Sequence, residues 1–137
     1  WLPDLGGFFA VVARLLTPAG QIFIYEMHPV LGMFEPGEEQ KPLDIRYSYF
    51  ATGPFRSDDG LDYYGGSRYR AKPNYWFQHR LSDVIGGCLE HGLAIEHFRE
   101  YDHDISGVFV ALGRQEKKPP MSYTLVARKT PWPPSPV

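Results

Sequence analysis

Leu5, Phe8, Phe9, Val12, Leu15 and Leu16 recur at i, i+3, i+4, i+7, i+10 and i+11. That spacing gathers apolar side chains on one face of a helix with 3.6 residues per turn. The next residues restrict the fold further. Thr17-Pro18-Ala19-Gly20 stops the helix and turns the chain. Gln21 to Met27 (QIFIYEM) is then apolar on both pleats, which predicts an interior strand covered on two sides. Helix, tight turn and covered strand make half of an α/β unit. Pro3 suits the first turn of such a helix, and Asp4 is favourable at the positive end of its dipole. Gly6 and Gly7 weaken it by up to about 1 kcal/mol each.

The α/β reading continues downstream after an interruption. Residues 28–77 are rich in Gly, Pro and aromatics and hold little periodicity. Arg46 to Phe50 (RYSYF) is the one strand-like run among them. A stretch this long inside a domain is a lid, a binding loop or a disordered insert, and its aromatic content favours an ordered lid. Arg80 to His91 then predicts a helix with Leu81, Val84, Ile85, Cys88 and Leu89 on one face, ended by Gly92. Leu93 to Glu100 alternates apolar with polar, imperfectly phased, and Ser122 to Arg128 makes a last strand with Tyr123, Leu125 and Ala127 on one side. Residues 102–120 read as loop. The closing PWPPSPV, residues 131–137, cannot pair in a sheet. Two final strands without a helix between them predict an antiparallel pair closing the sheet.

Bulk properties narrow the function classes. With 137 residues, 43% of them hydrophobic, the chain has material for one folded core. A net charge of −2 gives no footprint for nucleic acid or an anionic membrane. No apolar run approaches the roughly 20 residues of a membrane span. The lone Cys88 excludes an internal disulfide framework and fits a reducing, cytoplasmic setting. It lies on the apolar helix face, where a core role is expected. His91, His97 and His103 lack metal-ligand spacing with a carboxylate, so no metal site is expected. The chain opens on Trp1 rather than Met and lacks the basic start of a signal peptide.

Several short motifs then fall in one order: WLPDL, VVARLLTPAGQIFIYEMHPVL, a tyrosine-rich segment, HRLSDVIGGCLEHGLAIEHFREYD and PMSYTLVARK. Together, over residues 1–130, they resemble the carboxyl-terminal half of a class I S-adenosylmethionine-dependent methyltransferase domain. Ala19 stands where that family usually has a glycine. The resemblance implies a doubly wound, Rossmann-like α/β sheet in which 21–27 is the fifth strand and 93–100 the sixth. Residues 122–128 would be the seventh, inserted antiparallel between them. It implies S-adenosylmethionine as cofactor, a small-molecule methyl acceptor, and a cofactor pocket lying mostly upstream of Trp1, with Trp1 and Leu2 at its margin. At about 30 residues per βα unit, on the order of 100 residues would precede this chain. No G-x-G-x-G follows a strand here.

Glu26 and His28 end the first strand, where open α/β sheets bind ligands. His28 suits a general base near neutral pH, with Glu26 holding the acceptor or orienting the imidazole. Tyr64, Tyr69, Tyr75, Trp76 and His79 would wall a dry acceptor pocket. Each has an alternative. His28 equally suits a His-Pro turn with its ring bonded to backbone. Glu26 equally suits pairing with Arg46 or Arg70, His79 suits a helix start, and the aromatics suit simple packing. A non-catalytic reading also stands: an α/β fragment or small-ligand module that forms a homodimer through an open sheet edge.

Overall fold

The computed structural model describes residues 1–60 and 69–131. Tyr64 and residues 132–137 of the proline-rich tail lie outside them. Helix α1 spans Leu5–Leu15. Asp4 caps it, its carboxylate accepting a hydrogen bond from the Gly7 N–H at 2.8 Å. This satisfies one of the orphan donors that every helix start leaves open. The turn after α1 puts Ala19 at φ 61°, in the left-handed region that favours glycine, and strand β1 follows at Gln21–Met27.

The insert is built of a 3-10 turn at Pro29–Met33 and a hairpin of strands β2 (Phe55–Asp59) and β3 (Arg70–Trp76). Residues 46–50, expected as a strand, are not one: only Ile45 forms a bridge, to Phe34. Alternating tyrosines without an apolar partner face do not secure a ladder. Helix α2 (Leu81–Glu90), strand β4 (Leu93–Tyr101), the single-turn helix α3 (Val110–Gly113) and strand β5 (Ser122–Lys129) complete the chain. The region expected as plain loop thus holds α3. Gly92, at φ 69°, lets the chain leave α2 and enter β4 directly.

Strand β5 lies between β1 and β4 and is antiparallel to both; the closing strand pair predicted the antiparallel pairing with β4, and the family resemblance implied the place between them. The imperfect phase of β4 has a physical cause. A bulge between Ile95 and His97 inserts one residue and restores the apolar face beyond it. Leu93, Tyr123, Leu125 and Ala127 meet Phe9 of α1 and Val84 and Cys88 of α2 in the main core. Ile22, Ile24 and Ile95 pack against the same cluster. Full burial of a ring such as Phe9, 1% exposed, contributes about 1.5–3 kcal/mol. A second cluster of Leu31, Phe34, Phe109, Leu112 and Met121 sits at the sheet end where β1 finishes and β5 starts.

β1 departs from expectation. Its other edge is unpaired among the described residues, and Phe23 and Tyr25, on the face away from the main core, are 65% and 44% exposed. Apolarity on both pleats therefore does not reflect cover on both faces within these residues.

Candidate functional site

The carboxyl end of β1 collects a group of polar side chains on the face of the sheet that carries the main core. Register places Glu26 and Glu100 as cross-strand partners of Tyr123, one on each side. Directly opposed residues share a face, so the two carboxylates flank the tyrosine. The His28 ring meets the Tyr123 ring edge to face, with centroids 6.1 Å apart.

His28 is 7% exposed and is held by its backbone N–H and by ring Nδ1. Its N–H donates to the Met121 carbonyl at 3.0 Å. Its Nδ1 accepts from the Val30 N–H at 3.1 Å, capping the 3-10 turn. In the neutral ring the proton then sits on Nε2. That nitrogen lies 3.0 Å from Oε1 of Glu100, an ion-pair distance, without a hydrogen bond of ordinary geometry. Burial pulls the imidazole pKa below its ordinary value, and Glu100 opposes the shift. The His-Pro turn with a backbone-bonded ring is thus present, and the same ring presents Nε2 toward a carboxylate. Burial also pushes the Tyr123 hydroxyl up to about 12, with Glu26 adding to the rise.

Glu26 is exposed, and its Oε1 accepts from the Met27 N–H at 2.7 Å. Its pairing with Arg46 or Arg70 is not formed. Arg46 lies against Asp44 and Glu38, and Arg70 against Asp58. His79 reaches the Leu2 carbonyl through Nε2 at 2.6 Å, so it ties the start of the chain to the approach to α2. Trp1 and Leu2 are 80% and 45% exposed. Trp76 stacks on Phe55 at 4.2 Å, and the Tyr69 ring lies over Gly60. Trp76 and Tyr69 therefore pack within the β2–β3 hairpin, and Tyr69, Tyr75 and Trp76 remain at least a third exposed. Tyr64 lies outside the described residues.

Four residues of this site were missed from sequence. Glu100 and Tyr123 enter through strand register, which the bulge in β4 hides from any count of alternation. Tyr49 enters because its hydroxyl accepts the Leu81 N–H at 3.0 Å, covering a free donor at the start of α2 from 32 positions away. Gln78, 7% exposed, rests its amide against Gly32 of the 3-10 turn and donates through Nε2 to the Tyr49 carbonyl at 3.4 Å. Asp83 pairs with Arg80 at 2.7 Å and stabilises the same helix start. This holds the Asp83 carboxyl below the usual range.

Among the described residues no group of three or more His, Cys, Asp or Glu is arranged to hold a metal. No helix of the described residues is long and apolar enough to cross a membrane. No glycine-rich turn joins a strand to a helix among the described residues in the manner that cradles a nucleotide. The residues present therefore do not fit a complete S-adenosylmethionine pocket.

No family model and no curated protein matches the chain. Solved structures do. A Listeria monocytogenes protein provisionally assigned as an S-adenosylmethionine-dependent methyltransferase matches at TM-score 0.65 and 16% identity, over 95% of this chain and 57% of that one. An S-adenosylmethionine-dependent methyltransferase from Mesorhizobium loti matches at TM-score 0.49 and 17% identity, over 91% of this chain and 55% of that one. The chain thus spans little more than half the length of the proteins it resembles. At 16% identity the likeness to the Listeria protein is one of fold alone: the chain has a Rossmann-like α/β architecture.

Proposed function

We propose that this chain takes part in methyl transfer from S-adenosylmethionine and supplies the side of the site that holds a small-molecule acceptor. One observation carries the reading. In a fold of this kind, Glu26, His28, Glu100 and Tyr123 meet at the carboxyl end of β1, the position where open α/β sheets bind ligands. The cofactor, when bound, supplies an activated methyl group. The residues here orient the acceptor and handle its proton. His28 is neutral near pH 7 because burial disfavours its charged form. Because Nε2 already carries the proton, His28 can take another only at Nδ1 by releasing the Val30 N–H. The imidazolium so formed would be stabilised by Glu100, while Glu26, exposed beside Tyr123, faces the acceptor.

The test is transfer of a labelled methyl group from S-adenosylmethionine by the full-length protein to a panel of small hydroxyl, amine and thiol compounds. The expected result is transfer that falls at least tenfold in His28→Asn and Glu26→Gln. Unchanged rates in both variants would remove these residues from the chemistry. The unpaired outer edge of β1, with Phe23 exposed, favours a second reading: a non-catalytic module that self-associates through that edge. A dimer by sedimentation, together with no transfer to any compound, would select it.

A further inference from the structure

Tyr123 is 2% exposed, yet its hydroxyl makes no hydrogen bond among the described residues. Buried phenols as a rule find a partner. The side-chain atoms of the described residues that are both enclosed and unpaired are His28 Nε2 and Gln78 Oε1, so the small part of Tyr123 left open includes its hydroxyl. The ring is clamped between His28, edge to face at 6.1 Å, and Phe98, tilted at 5.8 Å, which fixes the hydroxyl in place. Register sets Glu26 on one side of it and Glu100 on the other, and the Glu26 charge acts on the hydroxyl. Neighbouring strands lie about 4.8 Å apart, so the two glutamate Cα atoms stand about 10 Å apart on one face. Both acids reach solvent: Glu26 is exposed, and the Glu100 side chain is 47% exposed. Neither is met by a lysine or arginine. Glu26 Oε1 takes the Met27 N–H, Glu100 Oε1 faces the neutral His28, and Arg46, Arg56, Arg70, Arg80 and Arg128 pair with other acids. Arg99, beside Glu100 in β4, lies over the Tyr101 ring on the opposite face.

We propose that Glu26, Glu100 and Tyr123 form a subsite for a protonated amine, so that the methyl acceptor carries a cationic amino group. An alkylammonium has three donors and no acceptor. It matches the oxygens left open here, one on each carboxylate and one on the phenol, and its charge offsets two acids that lack a cation. Phe98, two residues before Glu100 on the same face and 37% exposed, gives the carbon part of the ligand an apolar wall. An anionic ligand in the same place would meet like charge on both sides. The inference deepens the acceptor-site reading above and rests on it.

The probes are butylammonium, butanol and butyrate, close in size and different in charge, titrated into the full-length protein and followed by NMR at the His28 and Tyr123 rings. Wild type is expected to bind butylammonium about tenfold more tightly than butanol, and butyrate more weakly than either. The double variant Glu26→Gln, Glu100→Gln is expected to bind butylammonium and butanol equally. Tyr123→Phe should weaken butylammonium about threefold. Because that change removes only an unpaired hydroxyl, the unfolding midpoint should hold, which separates lost recognition from lost folding. No preference for the ammonium in wild type, a preference that survives the double substitution, a Tyr123→Phe variant that binds as tightly as wild type, or no binding of butylammonium overturns the inference. Methyl transfer by the full-length protein reports separately. Transfer to hydroxyl or thiol compounds with amines refused sinks this inference alone. An ammonium preference abolished in the double variant, without transfer by wild type to any compound, sinks the methyltransferase reading alone.

Discussion

Replacing Gly87 with alanine tests how closely α1 and α2 approach. A Cβ built at Gly87 stands 2.3 Å from Cδ2, 2.8 Å from Cε2 and 3.2 Å from Cγ of Phe9. Carbon atoms in ordinary contact are about 3.5–4.0 Å apart, so the new methyl overlaps a ring by more than about 1 Å. That ring is 1% exposed and wedged in the core, and it has nowhere to swing. Overpacking of this kind costs about 1–3 kcal/mol, while alanine gains about 1 kcal/mol over glycine in a helix interior. The net expectation for Gly87→Ala is a loss of about 1 kcal/mol. Gly86, one position earlier in α2, is the control, because its Cβ would meet only the Glu90 carboxylate at 3.9 Å. Gly86→Ala should therefore show the propensity gain uncancelled. Urea unfolding at constant m-value should separate the two variants by about 2 kcal/mol. Equal stabilisation by both substitutions would refute the close helix contact.

Two more outcomes rest on local geometry. Ala19→Gly relieves a left-handed conformation at φ 61°; with the larger freedom of glycine in the unfolded chain set against it, a gain of about 0.5–1 kcal/mol is expected in the same assay, and a loss would contradict the turn geometry. His28, flanked by Glu100, Tyr123 and Glu26, has a folded pKa below its unfolded value, so the unfolded chain binds the extra proton and stability falls as pH drops through about 6.5. His28→Asn keeps a capping acceptor for Val30 without a titrating ring, and its stability should change less with pH than wild type across that window; parallel pH profiles by thermal unfolding would remove the burial argument.

The glycine pair in α2 shows how sequence and structure divide. From sequence, Gly86 and Gly87 are two equal weaknesses in a helix. In the fold, one is open and the other is the gap that admits Phe9. The same division runs through the site. Glu26 and His28 were legible because a strand that ends in an acid and an imidazole is a local pattern. Glu100, Tyr123, Tyr49 and Gln78 were not, because each arrives through pairing or packing with residues far along the chain. Composition leaves the aromatics of the insert open between pocket walls and simple packing, and only the structure shows that Tyr69 and Trp76 make contacts inside a hairpin.

Local patterns by themselves determined helices α1 and α2 and strands β1, β4 and β5, because burial imposes spacing on neighbouring residues, and the missing crossover helix determined the antiparallel closing pair. Only the tertiary structure decided the register. A single bulge between Ile95 and His97 sets which side chains of β4 lie opposite Tyr123, and a one-residue shift in an antiparallel ladder moves every later side chain to the other face. The meeting of Glu26, His28 and Glu100 at one strand end is a consequence of that register, which no local pattern in the chain encodes.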